Sequence, residues 1–213
     1  METSPIPFAW EPFASRATAD ESLAATTVAD AEQVRRAAAG VEEARAWLVK
    51  RVVGPVRAVI RTLLGDHADA DDAAQKTLIE VLVGARSYRG EGSIEAWARK
   101  IAVRTALRHA RGERRRSTAA ATAHEDGDQV PARPQSSARD ALPRPVMEYL
   151  AEVPGPQRDA LLLHHALGYT VPEVAELSEV SQETVRARLR LGIAALRKRV
   201  RQETLLGAKK GRP

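Results

Sequence analysis

The sequence predicts an all-α protein: two small helical domains joined by a flexible linker. Three observations carry this. Aromatic residues make up only 4% of the 213 residues, while Ala and Arg are abundant. Such a composition favours helical bundles with modest cores over a β-sandwich or barrel. Apolar residues recur at helical spacing in two separate blocks. Between the blocks, STAAATAHEDGDQVPARPQSSARDAL carries too little apolar surface to order itself.

Taken in order, residues 1–27 hold three prolines and no sustained periodicity, and read as a flexible tail. Residues 28–116 form the first domain. Trp47, Leu48, Val52, Val56, Val59, Ile60, Leu63 and Leu64 recur at helical spacing, as do Leu78, Ile79, Leu82 and Val83, and then Ile94, Trp97, Ile101 and Leu107. Gly40, Gly54-Pro55, Gly65-Asp66 and Gly90-Glu91-Gly92 punctuate the pattern, giving a four-helix unit. Residues 117–141 are the linker. Residues 142–203 form the second domain, and 204–213 a frayed tail.

Composition excludes several classes. Without cysteine there are no disulfides and no thiolate metal sites. The N-terminus lacks a basic start followed by an apolar core, and no apolar run approaches about 18 residues. A cytoplasmic protein with no membrane insertion is expected. The net charge of +5 is mild, so its placement matters more than its size.

The second domain carries the sharpest signal. Thr170-Val171-Pro172-Glu173 has the residues of a capping box with proline in the first turn. Val174 and Leu177 face inward, Ser178-Glu179-Val180 makes a turn, and Ser181 caps the next helix. Val185, Leu189, Ile193, Leu196 and Val200 form an apolar seam there. Gln182, Glu183, Thr184, Arg186, Arg188 and Arg190 lie away from the seam or at its edge, near the helix start. Those positions reach base edges when a recognition helix enters the major groove. Arg bonds guanine in bidentate fashion, Gln reads adenine and Glu accepts from cytosine. From Gln182 to Arg201 there are seven basic residues and one acid. A solvated amphipathic helix is the plainer alternative, but it leaves the capped helix and tight turn without a role.

The first domain has two charged surfaces. Ser93 to Arg116 holds eight basic residues and two acids. Arg99, Lys100, Arg104, Arg108 and Arg111 form a stripe that suits a phosphate backbone. Tyr88 offers a ring to an unstacked base, and Trp97 belongs to the core. Asp66 to Glu80 holds five acids and one Lys. Opposite charges on one small domain point to two partners, nucleic acid and a basic protein surface. Acids at a helix start also complement its dipole.

Three stretches together resemble a bacterial RNA polymerase sigma factor of the extracytoplasmic-function class. They are DADDAAQKTLIEVL, SYRGEGSIEAWARKIAVRTALRHARGERRR and VPGPQRDALLLHHALGYTVPEVAELSEVSQETVRARLRLGIAALRKRV. The likeness covers roughly residues 40–116 and 143–202. It implies that the first domain is sigma region 2 and the second sigma region 4. It implies that Asp69, Asp72 and Gln75 dock on the clamp of the largest subunit of core RNA polymerase. Tyr88 to Arg111 would bind the −10 element of promoter DNA, and the recognition helix the −35 element. An anti-sigma protein is a usual further partner. The chain departs from the family pattern at Lys76, where Glu is frequent, at Arg104 and Arg108, where Asn and Asp are frequent, and at Ser178, where the turn has Gly.

Two rival readings fit parts of the sequence: an autonomous helix-turn-helix regulator, and a sigma-like interaction protein without initiation activity. The first leaves the acidic helix and the upstream basic helix without work. An enzyme is the least supported. His67 with Asp69, and the pair His164-His165, lack a convincing ligand set. There is no Gly-rich phosphate loop or nucleophile constellation. No metal and no cofactor are expected.

Overall fold

A computed structural model describes residues 21–65, 68–121 and 144–210, with side chains over 29–65, 69–116 and 144–203. All of the regular structure described is helical, as expected. The first half contains α1 (Glu21–Ala38), α2 (Glu42–Leu64), α3 (Ala68–Gly84) and α4 (Ile94–Ala121). The second contains α5 (Val146–Ala151), α6 (Gly155–Leu161), α7 (Val171–Ser178) and α8 (Gln182–Lys210). No described helix is long and apolar enough to cross a membrane.

Helix α2 is the axis of the first half and packs against α1, α3 and α4. Its Leu48, Val52, Val56, Val59, Ile60 and Leu63 are all buried. Gly54-Pro55 was expected to interrupt the chain, yet Pro55 lies inside α2. An interior proline costs about 3 kcal/mol. Each fully buried Val, Leu or Ile contributes roughly 1.5–3 kcal/mol, so the six together outweigh the missing hydrogen bond.

Helix α3 corrects a second expectation. Ile79 and Val83, assigned to the apolar repeat, are 55% and 76% exposed. The core is met instead by Ala70, Ala73, Ala74, Thr77 and Val81. Small side chains let α3 lie close to its neighbours, and Thr77 satisfies its hydroxyl by donating to the Ala73 carbonyl at 2.8 Å.

The expected ends also move. Helix α1 begins at Glu21, so part of the predicted tail is helical. Helix α4 continues to Ala121, beyond the predicted linker start, and α8 to Lys210. Residues 1–20 of the tail and 122–143, most of the linker, lie outside the described residues, as do 211–213.

In the second half, α6 leads through a π turn (Leu162–Ala166) toward α7. Helices α6 and α8 pack closely at Gly192, where an added Cβ would stand 2.8 Å from Leu161 Cδ1. Arg144 pairs with Glu152 at 2.6 Å and Glu203 at 2.9 Å, fixing the segment before α5 to α8. The two halves touch, α4 against α7 and α2 against the π turn.

Candidate nucleic-acid interface

The helix-turn-helix forms from local chemistry. Thr170 Oγ1 accepts from the Glu173 backbone N–H, while the Glu173 carboxylate accepts from the Thr170 N–H at 2.8 Å. The box holds the Glu173 carboxyl below its usual range, first through that backbone bond. Ser181 caps α8 by accepting from Thr184 N–H at 3.1 Å. The turn itself shifts by one residue. Ser178 is a buried part of α7, and Glu179 takes the left-handed conformation with φ 57°.

Glu179 therefore occupies the position that favours glycine. Left-handed backbone strains a side chain that has a Cβ. Glu179→Gly is expected to stabilise the fold by about 0.5–1 kcal/mol, because its exposed ion pair contributes less than the strain relieved. Thermal unfolding would show a raised Tm, and a lowered one would refute this account of the turn.

Helix α8 presents the predicted residues as follows. Val185 and Leu189 are buried against the domain. Gln182, Glu183, Arg186 and Arg190 are exposed, and Thr184 and Arg188 half-buried. Gln182, Arg186 and Arg190 follow each other at four-residue spacing, in one strip along the helix. Arg186 donates to Gln182 Oε1 at 3.3 Å. Arg188 lies close enough to the buried Asp159 to stabilise its charge. Burial pushes the Asp159 carboxyl up, against the pull of Arg114, Arg158 and Arg188.

On α4 the predicted stripe is partly engaged. Arg99 and Arg104 are exposed and Lys100 half-buried. Arg108 Nη2 donates to Glu80 Oε2 at 2.7 Å and to Thr105 Oγ1 at 3.1 Å, tying α4 to α3. Arg104 pairs with Glu176 of α7 at 3.2 Å. Arg111 donates to the Ser178 carbonyl and stands 3.6 Å from Glu179. Further along, Arg114 pairs with Asp159 at 3.1 Å. Thus Arg104 and Arg111 face the second domain. Tyr88 is half-buried: its hydroxyl donates to the Gly92 carbonyl at 2.8 Å, and its ring lies 5.4 Å from Trp97. Trp97 packs on the core, as expected.

The third candidate surface is the outer face of α3. Asp69, Asp72 and Gln75 are all exposed there. Ile79 and Val83 extend the same face toward the helix end. Sequence reasoning missed these two, whose spacing from Gln75 at four and eight residues was the available signal. His164 Nδ1 lies 2.7 Å from the Tyr169 carbonyl and is half-buried, with His165 exposed beside it, so this pair stays at the edge of the bundle as expected.

The family model for sigma-70 region 2 matches residues 32–116, and that for sigma-70 region 4 matches residues 144–196. The chain is 26% identical over 170 residues to the RNA polymerase sigma-H factor of Pseudomonas aeruginosa, covering 75% of this chain and 88% of that protein. It is 28% identical over 178 residues to the ECF RNA polymerase sigma factor SigM of Mycobacterium tuberculosis, covering 84% and 85%. Among solved structures, the sigma factor RpoE of Bartonella quintana, in complex with the anti-sigma factor NepR, shares the fold. Its TM-score is 0.53 at 20% identity, over 70% of this chain and 92% of that one.

Proposed function

This chain belongs to the sigma-70 family of RNA polymerase sigma factors, in the extracytoplasmic-function class, and on that footing we propose which of its surfaces meets which partner. As a sigma factor it binds core RNA polymerase and directs initiation at promoters through their −10 and −35 elements. Gln182, Glu183, Thr184, Arg186, Arg188 and Arg190 read the −35 element in the major groove. Tyr88, Arg99, Lys100, Arg104, Arg108 and Arg111 hold the −10 element. Asp69, Asp72 and Gln75, continued by Ile79 and Val83, dock on the clamp of the largest polymerase subunit. The protein acts in the cytoplasm and has no catalytic residues of its own, nucleotide addition being the polymerase's chemistry. An anti-sigma protein, of the kind that holds the structural neighbour, is a further partner.

One observation carries this reading: an exposed arginine-lined recognition helix shares a chain with an exposed face that runs from acidic to apolar along α3. A stand-alone DNA regulator has no use for the second surface. Reconstitution with core polymerase, followed by sequencing of transcript starts, tests it. Promoter-dependent starts sharing two sequence elements are expected. Core association without any such start would favour the interaction-protein reading.

The pairs made by Arg104 and Arg111 add a condition. Both must leave Glu176, Glu179 and the Ser178 carbonyl to meet phosphate. Exposed ion pairs contribute only about 0–1 kcal/mol each, so DNA displaces the Glu176 and Glu179 pairs at small cost. The part-buried Arg111 bond to the Ser178 carbonyl is the larger one to give up, at about 1.5–3 kcal/mol. Glu176→Gln with Glu179→Gln is expected to raise the full chain's affinity for a single-stranded −10 oligonucleotide a few-fold at low salt. The gain should disappear near 1 M salt, where screening acts within about 3 Å. Equal affinities at low salt would mean that these pairs do not compete with DNA.

A further inference from the structure

Promoter recognition leaves unused one group of side chains, where the start of α3 meets α4. Asp69 stands in the first turn of α3. His109 and Glu113 lie four residues apart on α4, hence on one face and one turn from each other. One ligand atom from each of the three lies within 4.8 Å of the others. The imidazole is half-buried and the two carboxylates exposed. Arg116 bonds one oxygen of Glu113, and this bond together with His109 holds the Glu113 carboxyl below its usual range. The carboxylate's second oxygen is left for another partner.

We propose that Asp69, His109 and Glu113 form a binding site for a divalent transition-metal cation. The helix dipole accounts for an acid at the start of α3, but not for an imidazole and a carboxylate of another helix converging on it. One nitrogen and two oxygens suit zinc, cobalt or manganese, whereas magnesium and calcium favour sets made of oxygen alone. Metal–ligand bonds of about 2.0–2.2 Å require the three atoms to close in by roughly an ångström. Rotation of two exposed carboxylates supplies that. Water fills the remaining positions.

Such a cation would staple α3 to α4 and occupy the Asp69 carboxylate. The second effect rests on the assignment of Asp69 to polymerase docking: metal and core enzyme would then compete.

Calorimetric titration of the metal-free full chain with Zn²⁺ tests the site, with Co²⁺ absorption as a second probe. One equivalent is expected to bind. His109→Gln and Glu113→Gln should each weaken binding at least tenfold, while His164→Gln with His165→Gln leaves it unchanged. If the doubly substituted His109→Gln/Glu113→Gln protein, still helical by circular dichroism, binds Zn²⁺ as tightly as the parent, the site does not exist. Core association is then measured with and without Zn²⁺. Metal should weaken it for the parent and not for the double variant. Tight binding at this site with undisturbed core association would keep the metal site and remove its competition with docking.

Discussion

Replacing Asp69 and Asp72 together by lysine is expected to weaken association with core RNA polymerase at least tenfold and to reduce promoter-dependent transcription with it. Both carboxylates are exposed on one face of α3. Reversing two charges against a basic surface exchanges attraction for repulsion, and like charges brought together at an interface cost several kcal/mol. The fold should tolerate the change. Neither residue belongs to the buried core, and of the two only Asp69 lies in the first turn of α3, where losing an acid costs about 0.3–1 kcal/mol. Val83→Asp, at a position 76% exposed, should act in the same direction by removing the apolar end of the face. The measurement is core association at fixed salt, with −35 duplex binding and thermal unfolding as controls. Undiminished association of the folded lysine variant would take the acidic end of α3 out of the docking surface.

What could be read in advance was chemistry that acts over a few residues. Thr170 and Glu173 are three positions apart, and so are Ser181 and Thr184; their caps form wherever the two helices form. Hence the helix-turn-helix was legible to within one residue, and that one residue failed because Glu179 takes a conformation that its side chain disfavours. Helix α3 was misread for another reason. Periodicity weighs large apolar side chains, so Ile79 and Val83 looked like part of the core face along with Leu78 and Leu82, which do pack on it half-buried. Packing density favours small ones where helices approach closely, and Ala70, Ala73, Ala74 and Thr77 won. Contacts across the fold left no local trace at all. Arg104 meets Glu176 at a separation of 72 residues and Arg108 meets Glu80 at 28. The arginines at the family's Asn and Asp positions are thus tied to α7 and α3, which no spacing rule could have told. The convergence of His109 and Glu113 on Asp69 was hidden in the same way.

Arg186→Ala and Arg188→Ala should both lower affinity for the −35 element, but with different signatures. A bidentate arginine–guanine contact is worth about 1–3 kcal/mol at its own base pair. Arg186 is exposed, and the bond it makes is to Gln182 on the same helix. Its loss should therefore flatten preference at one base position and leave the Tm unchanged, since alanine is an excellent helix former. Arg188 also steadies the buried Asp159. That carboxylate keeps Arg114 at 3.1 Å, so removing Arg188 weakens its neutralisation without abolishing it. A buried charge that loses part of its compensation destabilises the fold. Arg188→Ala should thus lose base preference together with a slight drop in Tm, since Arg114 and Arg158 still offset the Asp159 charge. Binding of holoenzyme to a panel of −35 variants, each with one base pair changed, separates the cases. A uniform loss across the panel would make either residue a phosphate contact, which positions the helix without reading sequence.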